Sequence, residues 1–194
     1  MKKIMFNDQY GLTQAVLDGR KTQTRRIAYQ EPFKFYCNCG FCTEGKDKGK
    51  LFINDGNEIV AKSTYKIGEI VAVAQRYNDI PFNNEIFKGA GLSIGWGNKM
   101  FVKSDLMPHQ IKITNIRYER LQDISTDDCM KEGIFCSHID GFDDAYTYDA
   151  TFDRFVKKCW YRTPIKAYKM LSCKLHLHWD SNPLVFVYDF KLVK

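Results

Sequence analysis

No stretch of this chain sustains the strand–helix–strand rhythm that a parallel doubly wound sheet demands; short β-rich runs are scattered among short helical ones instead. β-Branched and alternating residues mark strands over 22–28, 69–74, 111–120 and 184–192. Helical spacing recurs at Leu12, Ala15 and Val16, where Asn7 or Asp8 is placed to cap the first turn and Gly19 to end the last. Ser125 with Asp128 three positions on caps a second helix, running through Cys129 and Lys131 to Gly133. The spacing of Phe152, Phe155, Val156 and Cys159 predicts a third over 151–161, stopped by Pro164. Dispersed strands with a few short helices predict a mixed α/β (α+β) fold: a small β-barrel with short helices packed on its ends.

With 194 residues, 44% of them hydrophobic and 27% charged, the chain suits one domain with a buried core. No apolar run approaches the ~20 residues that span a bilayer, and the start, Met1-Lys2-Lys3-Ile4-Met5-Phe6-Asn7-Asp8, turns polar too soon for a secretory leader. A cytoplasmic protein without a membrane partner is the expectation. Seven cysteines without secretory context read as reduced thiols. Cys37, Cys39 and Cys42 cluster, but a single Cys-x-Cys-x-x-Cys lacks the paired knuckles of a zinc site. Free thiols are expected there, and neither a metal nor a cofactor is assigned.

Lys and Arg number 29 against 23 Asp and Glu, a formal net charge of +6 that suits phosphate-bearing partners. The charge is segregated: 121–153 is acidic apart from Lys131, and 154–178 is basic with no acid at all. The densest cationic segment is Gly19-Arg20-Lys21-Thr22-Gln23-Thr24-Arg25-Arg26, placed directly after a helix end where a turn presents side chains to a cleft. On a strand, Thr22, Thr24 and Arg26 share one face and Gln23 and Arg25 take the other, so one Arg faces a pocket and its neighbour solvent. Lys21, in the turn, is free of that alternation and able to lean back toward Thr24.

This segment resembles the signature of the ASCH family, relatives of the PUA RNA-binding fold, which reads Gly-x-Lys-x-x-Glu-x-Arg. Gly19, Lys21 and Arg26 match it, and Thr24 stands where the broad family has Glu. A subset of small bacterial ASCH proteins has Thr there and hydrolyses N4-acetylcytidine and related amides, and its Leu-x-Gly-Arg-Lys-Thr-x-Thr is similar to Leu17-Asp18-Gly19-Arg20-Lys21-Thr22-Gln23-Thr24. Further similarities lie at Ile4-Met5-Phe6-Asn7, Gly68-Glu69, Met107-Pro108, Glu119-Arg120-Leu121-Gln122-Asp123-Ile124-Ser125 and Trp179-Asp180-Ser181-Asn182-Pro183. The resemblance implies one PUA-like ASCH domain over 1–194, with insertions near 33–65, 78–105 and 135–178. Larger relatives carry Arg-Glu in the strand after the Gly-Asp turn, whereas this chain has Ala74-Gln75.

The resemblance implies a cationic cleft that binds RNA or a modified nucleoside. In it Arg20 and Arg26 hold phosphates, Thr24 and Gln75 read polar edges, Trp179 stacks on a base, and Asn182 stands beside it. For Trp179 the alternative is packing beside the last strand, and for Asn182 shaping the turn before Pro183. The alternative activity is amide hydrolysis by Lys21, Thr24 and, as the best match to the subset's distant acid, Glu132, which otherwise is a solvent-facing helix residue. A threonine hydroxyl attacks only when a base takes its proton, and a lysine serves only if burial or nearby cations lower its pKa.

Overall fold

The computed structural model describes residues 1–28, 39–41, 50–53, 58–81, 84–137, 145–148 and 160–193. In chain order the strands are β1 (Lys3–Ile4), β2 (Gln23–Ile27), β3 (Cys39–Phe41), β4 (Lys50–Ile53), β5 (Glu58–Lys62), β6 (Ile70–Val73), β7 (Gln110–Arg120), β8 (Phe135–Ser137), β9 (Ala145–Thr147) and β10 (Leu184–Leu192). The helices are α1 (Leu12–Leu17), α2 (Asn84–Ala90), α3 (Thr126–Lys131) and α4 (Pro164–Lys174). No helix among the described residues is long and apolar enough to cross a membrane. The main sheet has the order β1-β6-β7-β10-β2; β3-β4-β5 and β8-β9 form two smaller antiparallel sheets.

β1 pairs with β6 in parallel, and the other neighbours in the main sheet are antiparallel. Among the described residues no ladder joins β1 to β2, so the sheet stays open where the sequence suggested a barrel. β10 is central, and Val185, Phe186, Val187 and Tyr188 are all buried, as a strand covered on both faces requires. The register between β7 and β10 slips at Asp189/Phe190: Asp189 faces Asn115 while Phe190 faces Ile113, leaving Thr114 as the extra residue. The slip decides which side chains go where. Ile111, Ile113 and Ile116 all reach the apolar face despite their odd-to-even change, and Asn115, Arg117 and Glu119 are turned to the other face.

One core runs from Ile4, Val71, Val73, Ile111 and Ile113 through Tyr188 to Ala167, Tyr168 and Leu171 of α4. A second gathers Ala72, Ala74, Tyr77, Ile80, Ile86, Ala90, Val102 and Met107. Alternation along β6 explains the division, since Val71 and Val73 face the first core while Ala72 and Ala74 face the second. Much of 78–105 is therefore ordered around α2 and a core of its own, although the sequence reads there as loop.

Several elements differ from the expectation. α1 starts at Leu12 with Gly11 as its cap in the left-handed region; Asn7 instead accepts from the Gln9 amide, and the Leu12 amide donates to the Asn7 carbonyl. Pro164 begins a helix rather than stopping one, because proline at the first helical position loses no hydrogen bond, and Thr163 caps it by accepting from the Lys166 amide. The helix expected over 151–161 lies outside the described residues except at its end, where Tyr161 bridges to Tyr146. His176 and His178 have positive φ and belong to the turn after α4. Cys37 and Cys42 also lie outside the described residues, and among those described no group of three His, Cys, Asp or Glu could hold a metal ion.

Candidate functional site

The site begins where α1 stops. Gly19 has φ +73°, a conformation other residues rarely adopt, and it turns the chain so that the Lys21 amide donates to the Ala15 carbonyl at 2.8 Å. The Thr22 amide donates to the Lys131 carbonyl at 2.9 Å, tying the entry of β2 to the end of α3. On the facing side Glu132 closes α3, its amide donating to the Asp128 carbonyl. Gly133 follows with φ +102°, 3.6 Å from the Lys21 Cβ measured from where its own Cβ would stand. Two glycine turns thus set Lys21 and Glu132 against each other.

The Lys21 ammonium donates to Glu132 Oε2 at 2.5 Å and to the Glu132 carbonyl at 2.7 Å. Both side chains are buried, at 2% and 4% exposure. Burial lowers the Lys21 pKa below the ordinary lysine value; the Glu132 charge opposes that, and Arg26 and Arg25 reinforce it. The other carboxylate oxygen, Oε1, accepts from Arg25 at 3.0 Å. One acid therefore serves two cations.

Arg25 is the centre of a wider network on the polar face of β2, β10 and β7. Its guanidinium donates to Gln23 at 2.6 Å, to Glu119 at 2.6 and 3.0 Å and to Asp128 at 3.2 Å. Arg117 joins Asp128 at 2.5 Å, Asp189 at 3.1 Å and Glu119 at 3.2 Å, and Gln23 donates to Asp189 at 2.6 Å. Burial alone would lower the Arg25 pKa, but Glu132, Tyr168 and Glu119 together raise it, so the charge is permanent. Asp128 is held below the usual carboxylate range: partial burial would raise it, but Arg117, Gln23 and Arg25 outweigh that. The Cys129 thiol behind it is pushed up by burial to about 12 and is unreactive. Tyr168, whose ring lies 5.8 Å from the Arg25 guanidinium, has a buried hydroxyl with no hydrogen-bond partner among the described residues.

Along β2 lies a cavity of about 500 Å³, within the ~300–1,000 Å³ of small-molecule pockets. Thr24, Arg25 and Arg26 all line it, a set of consecutive residues that only an edge strand offers from both faces. Lys21 and Glu132 are at its base. Its opposite wall is Met5, Phe6, Asn7 and Asp8, just after the other edge strand, with Lys99. Arg26 spans the gap between the two edges by donating to the Met5 carbonyl at 2.6 Å, and Phe6 packs on Phe190 with ring centroids 5.7 Å apart. Lys99 closes the wall by donating to the Phe6 carbonyl and pairing with Asp8 at 2.7 Å.

Lys21, Thr24, Arg26 and Glu132 are thus brought to one cavity, and Glu132 is buried rather than facing solvent. The remaining expected binding residues are not among those lining it. Arg20 pairs with Asp18 at 3.1 Å beside the Phe135 ring. Gln75 is buried with its Oε1 2.7 Å from His109 Nδ1. Trp179 packs edge-on against Tyr168, and Asn182, with φ +46°, shapes the turn and accepts from the Gln122 amide at 2.8 Å. The sequence reading missed Glu119 as a partner of Arg25, and Arg117 and Asp189 as members of the same network, because only the pairing of β7, β10 and β2 makes them neighbours. Lys99 was hidden for a similar reason, in a segment with no strand or helix signal. Compared with known proteins, the chain matches no family model, no curated protein and no solved structure.

Proposed function

We propose that this protein is an ASCH-type, PUA-like nucleoside-binding protein, and that its cavity takes a nucleoside, free or within RNA. The supporting observation is the convergence of Lys21, Thr24, Arg26 and Glu132, far apart in sequence, on one cavity of nucleoside size. In this reading the opening between β1 and β2 is the seam of a curled, barrel-like sheet, bridged by Arg26 rather than by a strand ladder. Arg26 faces anionic or carbonyl groups, Lys99 with Asp8 holds the opposite wall, and Thr24 reads a polar edge. Calorimetric titration with cytidine and N4-acetylcytidine tests it: saturable binding lost in Arg26→Ala supports the seam site, and no binding of either compound by the wild-type protein removes it.

A second reading, amide hydrolysis, is favoured by the buried Lys21–Glu132 pair beside Thr24. The Thr24 hydroxyl attacks the acyl carbon as its proton passes to neutral Lys21, and the oxyanion is steadied by Arg26. Collapse breaks the C–N bond, the departing amine takes the proton from Lys21, and water releases the acid from the Thr24 ester. Glu132 positions the lysine. The lowered Lys21 pKa sets the sign of the pH profile: turnover rises as the ammonium loses its proton, on a limb below the usual lysine range. Acetate release from N4-acetylcytidine by the pure protein, absent in Thr24→Ala, is the expected result; absence in the wild type removes this reading while leaving binding intact.

A further inference from the structure

We propose that a second groove beside the seam binds the phosphodiester backbone of a single strand whose base enters the first cavity; the inference rests on the nucleoside reading above. The groove encloses about 730 Å³ and is lined by Lys2, Lys3, Tyr65, Lys103 and Asp105 among others. Its lysines fall into two kinds. Lys2 is paired with Glu69 at 3.0 Å and is neutralised. Lys3 donates to the carbonyl oxygens of Met100 at 2.6 Å and Val102 at 2.8 Å, and Lys103 to that of Gly89 at 2.6 Å.

A carbonyl fixes an ammonium in place without cancelling its charge, so Lys3 and Lys103 hold two positioned positive charges on the groove, opposed by the rim carboxylate of Asp105. Lysine acts on phosphate as such a point charge, without the planar geometry that arginine needs. The groove and the seam are neighbours along the chain. Lys3 lines one and Met5 the other, two residues along the same extended edge, ~7 Å apart. Lys99 lines the seam and Val102 the groove, on either side of the turn that Lys3 clamps. A strand with one base in the seam would carry its neighbouring phosphates across Lys3 and Lys103.

The test uses the full chain, a labelled pentamer of oligocytidylate followed by fluorescence anisotropy, and cytidine followed by calorimetry, both over a salt series. The wild-type protein should bind the pentamer more tightly than cytidine. Two phosphates at a single-strand slope of ~0.7 each give a log–log salt dependence steeper by about 1.4, or about 25-fold over a tenfold change in salt. The Lys3→Gln/Lys103→Gln double variant should lose that extra slope and keep its cytidine affinity, and Lys3→Arg/Lys103→Arg should restore it. Equal slopes for pentamer and cytidine in the wild type, which need no variant, would overturn the groove. So would displacement of the pentamer by oligoglutamate of equal charge, which would mark the groove as a site for acidic protein. Cytidine binding with no gain from the pentamer leaves the seam and removes the groove. A pentamer that binds through Lys3 and Lys103 without any cytidine affinity does the reverse.

Discussion

Arg25 and Arg26 are neighbours on one strand and meet opposite fates. Arg25 is fully buried, shared among Glu119, Asp128 and Glu132, and its charge is consumed in holding β2 to β7 and α3. Arg26 is exposed, makes one bond to a main-chain carbonyl, and keeps its charge available to the cavity. Alternation on an edge strand gives the two different partners: both line the cavity, but carboxylates surround Arg25 alone. Cationic residues in a motif are therefore not interchangeable evidence of a ligand.

The largest effect that would sharpen this contrast is in stability. Arg25→Ala leaves three carboxylates without their shared partner and should cost about 3–5 kcal/mol, read as a lower urea midpoint. An unchanged midpoint would show that the network is not what holds the face together. Lys21→Ala should lower amide turnover by about 10²–10⁴-fold if the lysine is the base, measured as acetate release at constant substrate affinity; a variant as fast as wild type assigns the proton transfer elsewhere. Gly133→Ala forces a side chain to φ +102° and should cost about 1–3 kcal/mol, with reduced turnover as Glu132 shifts. Arg26→Ala should change stability by under ~1 kcal/mol, with its loss falling on nucleoside affinity and, in the hydrolytic reading, on turnover. Comparable destabilisation by Arg25→Ala and Arg26→Ala would erase the distinction.

The smallest effect is a pH dependence. Asp128 is depressed in the folded chain, so its contribution is present above the unfolded carboxylate pKa and is lost as pH falls through the lower folded value. Lys21, also depressed, has the same sign in a more alkaline window: the folded state resists its protonation, so its burial costs stability below the folded pKa and that cost is relieved as pH rises from the folded toward the unfolded pKa. Thermal unfolding of Asp128→Asn against pH should show a weaker acid limb than the wild type; identical limbs would place the acid sensitivity in other carboxylates.

The strands that carry the site were legible because their alternation is local: β10 falls at 184–192 in both readings, and β2, β6 and β7 shift only at their ends. The turn at Gly19 and the Ser125 cap of α3 were legible for the same reason. α4 was not, because Thr163-Pro164 signals a helix start as well as a stop, and the apolar periodicity upstream favoured the stop. Of the site, Lys21, Thr24 and Arg26 could be taken from a contiguous motif, and Glu132 from a resemblance. Gln75, Trp179 and Asn182 are instead engaged by His109, Tyr168 and Gln122, a distinction that depends on which residues the fold makes neighbours and not on the motif itself.

The extra residue at Thr114 acts as a parity bit for the whole protein. Pairing it into the ladder without the bulge would invert one half of β7 relative to the other, so that either Ile111 and Ile113 emerge into water or Arg117 and Glu119 are driven into the aliphatic layer, whereas deleting Thr114 itself leaves Ile113, Asn115 and Ile116 in regular alternation. Tolerance for the loss of one residue should accordingly be greatest at Thr114 and least on either side of it along β7, and a single-residue deletion scan would find its maximum there.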